Sequence, residues 1–581
     1  MNNTALIQEV TAKANTWLTG NYDAETKTEV QRMLDNPDKT DLIEAFYKDL
    51  EFGTGGLRGI MGVGTNRMNI YTVGAATQGL ANYLKIQFPK EPQIKVVIGH
   101  DCRNNSRLFA ETAAEIFSAN DIKAYLFDDL RPTPEVSFAI RELGCQSGII
   151  LTASHNPKAY NGYKAYWNDG GQLVPPHDED VIKEVGKITS VDEIKFKGNK
   201  SLIEIIGKEI DDKYIQEIKG ITLSPESIKR NEDMKIVYTP IHGTGVRIIP
   251  ATMKAFGFKN VIHVPEQDVV SGDFPTVVSP NPEEPAALDM AVKKAIETNA
   301  DLVLASDPDA DRVGAAIKND KGEFILVNGN QTAMMLTYYL VRRWKELGKV
   351  NGNEYIVKTI VTTEVIKEIA ERNGVTCFDV FTGFKWIAAI MREMEGKMNY
   401  ICGGEESYGF LPETFVRDKD AVSTCTMLAE IAAWAKDNGM SLYDLLRNIY
   451  LEYGFSKEKG ISVTKEGKAG AEEIKRMMED YRSNPPKEIA GSPIVLIKDY
   501  HTLVAKDKNG IETKLDMPTT SDVLQFFTED GSKVSIRPSG TEPKIKFYVE
   551  VRGEMKSLAD YDVANQKAEV KVEAVKKSLG L

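Results

Sequence analysis

Two rhythms of apolar and polar positions run along the chain. Short apolar runs at residues 94–98, 123–127 and 148–151 read as buried strands, and residues 107–119 and 135–143 between them repeat apolar positions at helical spacing. The pattern returns twice. A second block has strands at 235–238, 260–264 and 301–304, with helical stretches around 248–256 and 286–297. A third has strands at 355–361, 376–380 and 398–401, with helices at 364–372 and 385–395. Each block is strand–helix–strand–helix–strand, the signature of a doubly wound parallel sheet.

The two ends of the chain depart from this rhythm. The opening stretch reads as helices at 4–18 and 24–36, followed by an acidic segment at 41–51. Helical runs at 331–347 and 421–438 join the later blocks. Beyond Ser456 come a helix at 468–483, the break Pro485-Pro486, short strands at 494–498, 522–527, 533–537 and 544–551, and a terminal helix near Ala559. Strands in series with helices at the ends predict an antiparallel α+β domain. The fold class expected is therefore α/β: three consecutive doubly wound domains with parallel or mixed sheets, and a C-terminal antiparallel α+β domain, around one central cleft. Boundaries fall near 205, 325 and 455. They give domains at 1–205 (with the helical extension), 206–325, 326–455 and 456–581.

Composition narrows the class. A chain of 581 residues is too long for one hydrophobic core. With 42% hydrophobic and 27% charged residues it reads as a soluble globular protein. A net charge of −13 argues against nucleic acid or an anionic membrane as partner, but not against a phosphorylated small molecule met by a few local Arg and Lys. Five scattered Cys without a C-x-x-C pair read as reduced core residues of a cytoplasmic protein. The acidic amphipathic start is unlike a signal peptide, and no apolar run reaches membrane-spanning length.

Ligands of open parallel sheets sit outside the carboxyl ends of the strands. The third strand of each block ends in a polar loop, carrying Ser154, Asp307 and Glu405 respectively. The first loop, Thr152-Ala153-Ser154-His155-Asn156-Pro157, is stiffened by proline and by side chains that bond locally to backbone. Ser154 Oγ is expected to carry a phosphoryl group, with a turn serine or helix cap as the plain alternative. His155 beside it suggests a hydrolase triad, but no G-x-S-x-G elbow is present, and neighbours on an extended segment point to opposite sides.

The second loop, Asp307-Pro308-Asp309-Ala310-Asp311-Arg312, sets three carboxylates at alternate positions, where they can converge on one cation. Oxygen-only ligands favour Mg²⁺. An EF-hand is excluded, since Arg312 stands at the glycine position and Lys318 at the bidentate Glu position. A solvated acidic turn and a haloacid-type phosphatase with Asp307 as nucleophile are the competing readings. In the third loop, Gly403-Gly404-Glu405-Glu406-Ser407-Tyr408-Gly409, a carboxylate and a hydroxyl can grip vicinal sugar hydroxyls, and Thr382-Gly383-Phe384-Lys385-Trp386 could flank them. The C-terminal loop Arg537-Pro538-Ser539-Gly540-Thr541 offers a guanidinium, two hydroxyls and a glycine N–H to a phosphate, although a hairpin turn would also account for it. The glycine-dense Gly53-Thr54-Gly55-Gly56-Leu57-Arg58-Gly59 reads as a flexible turn or an anion loop.

Together and in this order, the loops resemble the α-D-phosphohexomutase family. The Ser154 stretch is similar to its phosphoserine loop and Asp307 to Arg312 to its D-x-D-x-D-R magnesium loop. Gly404 to Gly409 resembles its G-E-x-S-x-G sugar loop, and Arg537 to Thr541 its R-x-S-G-T phosphate loop. Thr382 to Trp386 and the glycine-dense loop resemble the phosphoglucomutase branch that includes phosphopentomutases. Gly55 and Lys158 stand where many relatives carry Ser and Gly. The resemblance implies a phosphosugar mutase: phospho-Ser154 gives its phosphoryl group to a sugar monophosphate, and the bound sugar 1,6-bisphosphate turns end for end and returns the other phosphate.

It further implies Mg²⁺ on Asp307, Asp309, Asp311 and the phosphoserine. Arg58, His155 and Lys164 (in Asn161-Gly162-Tyr163-Lys164) would be catalytic, with the general base left open among them. Arg312, Thr382, Gly383, Glu405, Ser407, Lys419, Arg537, Ser539, Gly540 and Thr541 would bind substrate, and the last domain would close as a lid. Small phosphosugars are the expected partners, with neither nucleic acid nor membrane, and the chain a monomer or small homo-oligomer. Glucose 1-phosphate is the leading substrate, mannose and pentose phosphates the alternatives, and a catalytically silent sugar-phosphate sensor a third reading.

Overall fold

The computed structural model describes residues 3–53, 56–465, 467–539 and 544–581. The chain forms two compact units, one of Met1–Gly329 with Phe384–Asn438, the other of Asn330–Gly383 with Gly439–Leu581.

In the first unit, the first block's strands are β1 (Gly56–Ile60), β2 (Lys95–His100), β3 (Lys123–Phe127), β4 (Ser147–Leu151), β5 (Tyr160–Trp167) and β6 (Ile203–Ile206). They lie in the order β1-β5-β4-β2-β3-β6. The contiguous group β4-β2-β3-β6 is parallel, whereas β5 runs antiparallel to both β4 and β1. The second block builds β7 (Lys235–Thr239), β8 (Asn260–His263), β9 (Leu302–Ser306), β10 (Val313–Lys318) and β11 (Phe324–Val327) in the order β11-β10-β9-β7-β8. Here too the first three are parallel, and β10 and β11 fold back antiparallel. Of the third block, β12 (Glu354–Thr359) and β13 (Thr376–Val380) form a parallel pair in the second unit, and β14 (Asn399–Gly404) and β15 (Phe410–Leu411) an antiparallel pair in the first.

The sheets are thus mixed, because each polar loop after a third strand turns the chain back along that strand. β4 leads to β5, β9 to β10 and β14 to β15 in the same way. Strands β4 and β9 are buried throughout, as the apolar runs required. The parallel core is packed by Val96, Ile98, Phe109, Phe117, Ile149 and Leu151. At the amino end, helices Asn3–Thr19, Ala24–Asp35 and Thr40–Phe46 bury Val10, Trp17, Met33 and Phe46 around Tyr71. The segment read as merely acidic is therefore helical at its start, because Leu42, Ala45 and Phe46 supply a buried face.

In the second unit the C-terminal strands are β16 (Phe455–Thr464), β17 (Glu488–Ile489), β18 (Ser492–Asp499), β19 (Val504–Asp507), β20 (Glu512–Lys514), β21 (Leu524–Thr528), β22 (Lys533–Pro538) and β23 (Lys544–Gly553). They form an antiparallel sheet in the order β16-β23-β22-β21-β18-β19-β20, with β17 paired only to β18. Helices Gly467–Ser483 and Tyr561–Ser578 accompany it.

A buried ionic seam ties this sheet to β12 and β13. Lys358 Nζ meets Asp379 at 2.7 Å and Glu364 at 3.1 Å, and Lys533 Nζ meets Glu364 at 2.6 Å and Glu550 at 3.3 Å. Lys533 also donates to the carbonyls of Ile360 and Thr362 (3.2 and 2.9 Å), and Gln525 to that of Ile360 (2.7 Å). Glu550 accepts from the Thr363 hydroxyl and the Glu364 N–H. Among the described residues, no helix is long and apolar enough to cross a membrane.

Candidate active site

Ser154 lies just past β4, where the chain leaves the sheet. Its N–H donates to Thr152 Oγ1 (2.9 Å), and the Thr152 N–H donates to the Gly162 carbonyl (3.1 Å). Gly162 permits this approach, since a Cβ there would stand 2.4 Å from that threonine's oxygen. Ser154 has a left-handed backbone (φ +50°), sparsely populated for any residue but glycine. Its side chain is buried, and Oγ donates to Asp307 Oδ2 at 2.8 Å.

That turn also changes the reading of His155. The segment is not extended there, and His155 Nδ1 comes within 3.2 Å of Ser154 Oγ instead of pointing away. Burial, together with the Arg312 and Arg58 cations, pushes the His155 pKa down to about 2, so its imidazole is neutral. Arg58 sits on β1 opposite Gly162, and its guanidinium donates to Asn156 Oδ1 at 3.1 Å. The described end of the glycine-dense loop is therefore a strand paired to β5, while Thr54 and Gly55 lie outside the described residues.

Asp307 to Arg312 form a tight turn between β9 and β10. Asp307 Oδ1 accepts the N–H groups of Asp311 and Arg312, both at 3.0 Å, and Ala310 takes φ +51° to close the turn. One oxygen from each of Asp307, Asp309 and Asp311 lies within 4.8 Å of the others. Asp309 Oδ2 accepts from Lys164 Nζ (2.7 Å) and Thr133 Oγ1 (2.8 Å). Asp311 Oδ2 takes Lys164 at 3.1 Å and Lys419 at 3.0 Å. The second oxygens, Oδ1 of Asp309 and of Asp311, are buried without a hydrogen-bond partner.

Burial and the two neighbouring carboxylates raise the Asp307 pKa well above the usual range. Burial acts the same way on Asp311, but Lys164, Lys419 and Arg312 outweigh it and hold that carboxyl far down. Lys164 is buried too, yet Asp309 and Asp311 keep it charged. Three carboxylates within reach of one another, two of them carrying an orphaned oxygen, fit a divalent cation with oxygen ligands.

The third loop is stitched to the second by backbone. Arg312 bridges Gly409, the Val313 N–H donates to the Tyr408 carbonyl (3.0 Å) and the Ala421 N–H to that of Ala310 (3.1 Å). Glu405 is buried, with its N–H on the Gly409 carbonyl (2.9 Å), and Ser407 is half-buried. Lys419 passes over Gly409, where a Cβ would fall 2.1 Å from its side chain. Arg312 itself is paired with Glu283 at 2.7 Å.

Thus Ser154, His155, Arg58, Lys164, the three Asp, Arg312, Glu405, Ser407 and Lys419 all belong to the first unit. Thr382 and Gly383, which follow β13, belong to the second, as do half-buried Arg537 and Ser539 at the end of β22. Thr382 Oγ1 is buried without a hydrogen-bond partner, and Gly383 takes φ +114°. Gly540 and Thr541 lie outside the described residues.

Sequence reasoning missed Thr133, whose hydroxyl and N–H both hold Asp309, and Gly243. A Cβ on Gly243 would sit 2.5 Å from Pro308 Cα, and the next N–H, of Thr244, holds the Pro308 carbonyl at 2.9 Å. It also missed Arg103. The only signal for any of the three was their place just beyond a strand end.

Comparison with known proteins supplies four family models in chain order. Phosphoglucomutase/phosphomannomutase α/β/α domains I, II and III match residues 49–192, 212–322 and 328–453, and the C-terminal domain of that family matches 465–568. The chain is 39% identical over 530 residues to the phosphoglucomutase of Staphylococcus aureus (strain MRSA252), covering 90% of this chain and 92% of that one. It is 36% identical over 528 residues to the phosphoglucomutase of Staphylococcus haemolyticus (strain JCSC1435), covering 90% and 94%. Among solved structures, the open form of the Paramecium exocytosis-sensitive phosphoprotein pp63/parafusin superimposes with a TM-score of 0.69 at 19% identity, covering 92% of this chain and 96% of that one. A phosphoglucomutase/phosphomannomutase family protein from Burkholderia thailandensis gives 0.65 at 18%, covering 91% and 97%. At these identities the two structures speak for the fold.

Proposed function

Because the chain belongs to the phosphoglucomutase/phosphomannomutase family and is a phosphosugar mutase, we propose that its substrate pair is α-D-glucose 1-phosphate and glucose 6-phosphate, interconverted through phospho-Ser154 and a bound glucose 1,6-bisphosphate. The observation that carries the reading is the 2.8 Å bond from Ser154 Oγ to Asp307, which sets the nucleophile on the edge of the three-carboxylate cluster. The names of the bacterial relatives favour glucose over mannose.

In the forward half-reaction the P–O bond to Ser154 breaks as a bond forms to the free sugar hydroxyl, whose proton must leave. Arg58 carries a guanidinium that does not deprotonate, and Lys164 is held charged by two aspartates. His155 is the one of the three that is neutral beside the serine oxygen, and we assign it the proton on the condition that the anionic phosphoryl group on Ser154 raises its basicity from the low value of the unphosphorylated chain. Lys164 and Arg58 contribute positive charge around the moving phosphoryl group. A divalent cation on Asp307, Asp309 and Asp311, Mg²⁺ by its all-oxygen donor set, would supply charge neutralisation on the phosphoryl oxygens. Glu405, Ser407 and Lys419 are assigned to the sugar, with Arg312, Thr382 and Gly383. Arg537, Ser539, Gly540 and Thr541 are assigned to the phosphate that is not being transferred.

The assigned domains are 1–205, 206–325, 326–455 and 456–581, supported by one family model within or nearly within each. A cytoplasmic setting fits the unpaired cysteines. A phosphatase using Asp307 as nucleophile is disfavoured, because both carboxylate oxygens of Asp307 are engaged, one by two backbone N–H groups and the other by Ser154. The test is conversion of glucose, mannose, glucosamine and ribose 1-phosphates with Mg²⁺ and a trace of glucose 1,6-bisphosphate. Fastest conversion of the glucose ester is expected. Release of inorganic phosphate without sugar 6-phosphate would overturn the reading.

A further inference from the structure

The turn after β2, Asp101-Cys102-Arg103, bears on Ser154 more directly than its sequence suggests. The Arg103 side chain is fully buried. Its two terminal nitrogens donate to four backbone carbonyls of one loop: those of Ser154 (2.6 Å) and Asn156 from one nitrogen, and those of Pro157 and Tyr160 (3.0 Å each) from the other. Nε faces Asp101 Oδ2 at 3.3 Å, and the Phe274 ring covers the guanidinium at 5.2 Å. Asp101 is fixed in turn, since its Oδ1 accepts the Arg103 N–H (2.8 Å) and the Ser106 hydroxyl (2.7 Å).

Two terminal nitrogens of a buried guanidinium, satisfied by four carbonyls of a seven-residue stretch, force those carbonyls to converge. The loop cannot then extend, and the backbone at Ser154 is held in the left-handed region that places Oγ on Asp307. We propose that Arg103 is a positioning residue for the phosphoryl-carrying serine: its planar fork, more than its charge, keeps Ser154 Oγ aimed at the carboxylate cluster. The inference rests on the mutase reading of Ser154 and adds a residue to it.

The alternative is that Arg103 merely cements the fold. Arg103→Lys separates the two, because an ammonium keeps the charge opposite Asp101 but cannot span four carbonyls. Arg107→Lys is the matched control, since Arg107 also donates to two carbonyls, those of Phe127 and Asp128, away from the serine. With glucose 1-phosphate, R103K is expected to lower kcat about 100-fold at nearly unchanged KM, the scale of a displaced reacting atom. The fraction of Ser154 phosphorylated by glucose 1,6-bisphosphate, read by intact mass, should fall with it. R107K should lower the melting temperature and leave kcat within about twofold.

Wild-type kcat and phosphorylation in folded R103K, or equal losses of kcat in both variants, would overturn the proposal. Should R103K fail to fold, Asp101→Asn, which frees one edge of the fork, is expected to lower kcat about tenfold at constant KM. Full activity there would overturn the proposal as well. Wild-type protein that only releases phosphate from every sugar ester would instead strike the mutase reading.

Discussion

Two regions of the molecule bury lysines among carboxylates, and they do so in opposite spirit. In the seam of the second unit, Lys358 and Lys533 each reach two carboxylates, and Lys533 reaches two carbonyls besides. The carboxylates there are answered by lysines, hydroxyls and N–H groups, Asp379 Oδ1 through the Lys358 ion pair alone. In the first unit, Lys164 and Lys419 also meet carboxylates, yet one oxygen of Asp309 and one of Asp311 are left without a donor, and the chain is left-handed at Ser154 and at Ala310. A buried ionic cluster with its valences filled is a joint, and one with valences open beside a bent backbone is a receptacle. Burial and charge alone do not separate the two.

Three substitutions press on that contrast, and a fourth probes a buried carboxyl outside it. The largest effect is expected at the proposed nucleophile of the receptacle: Ser154→Ala should cut mutase activity by roughly 10⁴-fold or more with little change in melting temperature. Activity within tenfold of wild type would remove Ser154 from the chemistry. Next, Lys533→Met breaks the joint by leaving Glu364 and Glu550 without that cation. A loss of about 3–5 kcal/mol in denaturant unfolding is expected, with kcat per folded molecule nearly unchanged. An unaltered unfolding midpoint would refute the joint.

At the receptacle the sign for stability should reverse. Asp307→Asn is expected to reduce kcat by about 10²–10³-fold and to weaken Mg²⁺ binding in calorimetry. It should nevertheless raise the melting temperature of the metal-free chain, because burial and the Asp309 and Asp311 charges already disfavour a charged carboxylate at that position. A drop in that temperature would show the cluster to be a stabilising network after all.

The smallest effect concerns pH. Burial and the Asp420 charge raise the Glu413 pKa well above 4.5 in the folded chain. Stability from that proton is complete below the unfolded value near 4.5 and is lost as pH rises through the folded one. Glu413→Gln keeps a neutral side chain at every pH, so it should stabilise the protein by about 1 kcal/mol at pH 8 and flatten the fall in melting temperature between pH 5 and 8. Parallel curves for the two proteins would contradict the raised pKa.

Much of this was legible in the residues themselves. Ser154, the three aspartates and Glu405 sit at the ends of apolar strands, and chemistry confined to one loop leaves its mark in consecutive positions. Lys164 was reached only through resemblance, because its strand β5 mixes aromatic and polar residues and does not read as a buried, antiparallel return. Lys533 and Glu550 gave no signal. Besides each other, their partners lie about 170 to 190 residues away, and a buried lysine looks like any other until the carboxylate that meets it is known. Gly243 and Arg103 were silent for a related reason: each acts on backbone supplied by another part of the chain.

The stitching of the Gly403 to Gly409 loop onto the Asp307 to Arg312 loop has a practical outcome for anyone redesigning this protein. Transplanting that segment, proposed above to face the sugar, from a relative with another preference would also replace the Gly409 and Tyr408 backbone partners of Arg312 and Val313. Chimeras should therefore exchange both loops together, and those that exchange one should show altered cation affinity alongside any new taste in sugars.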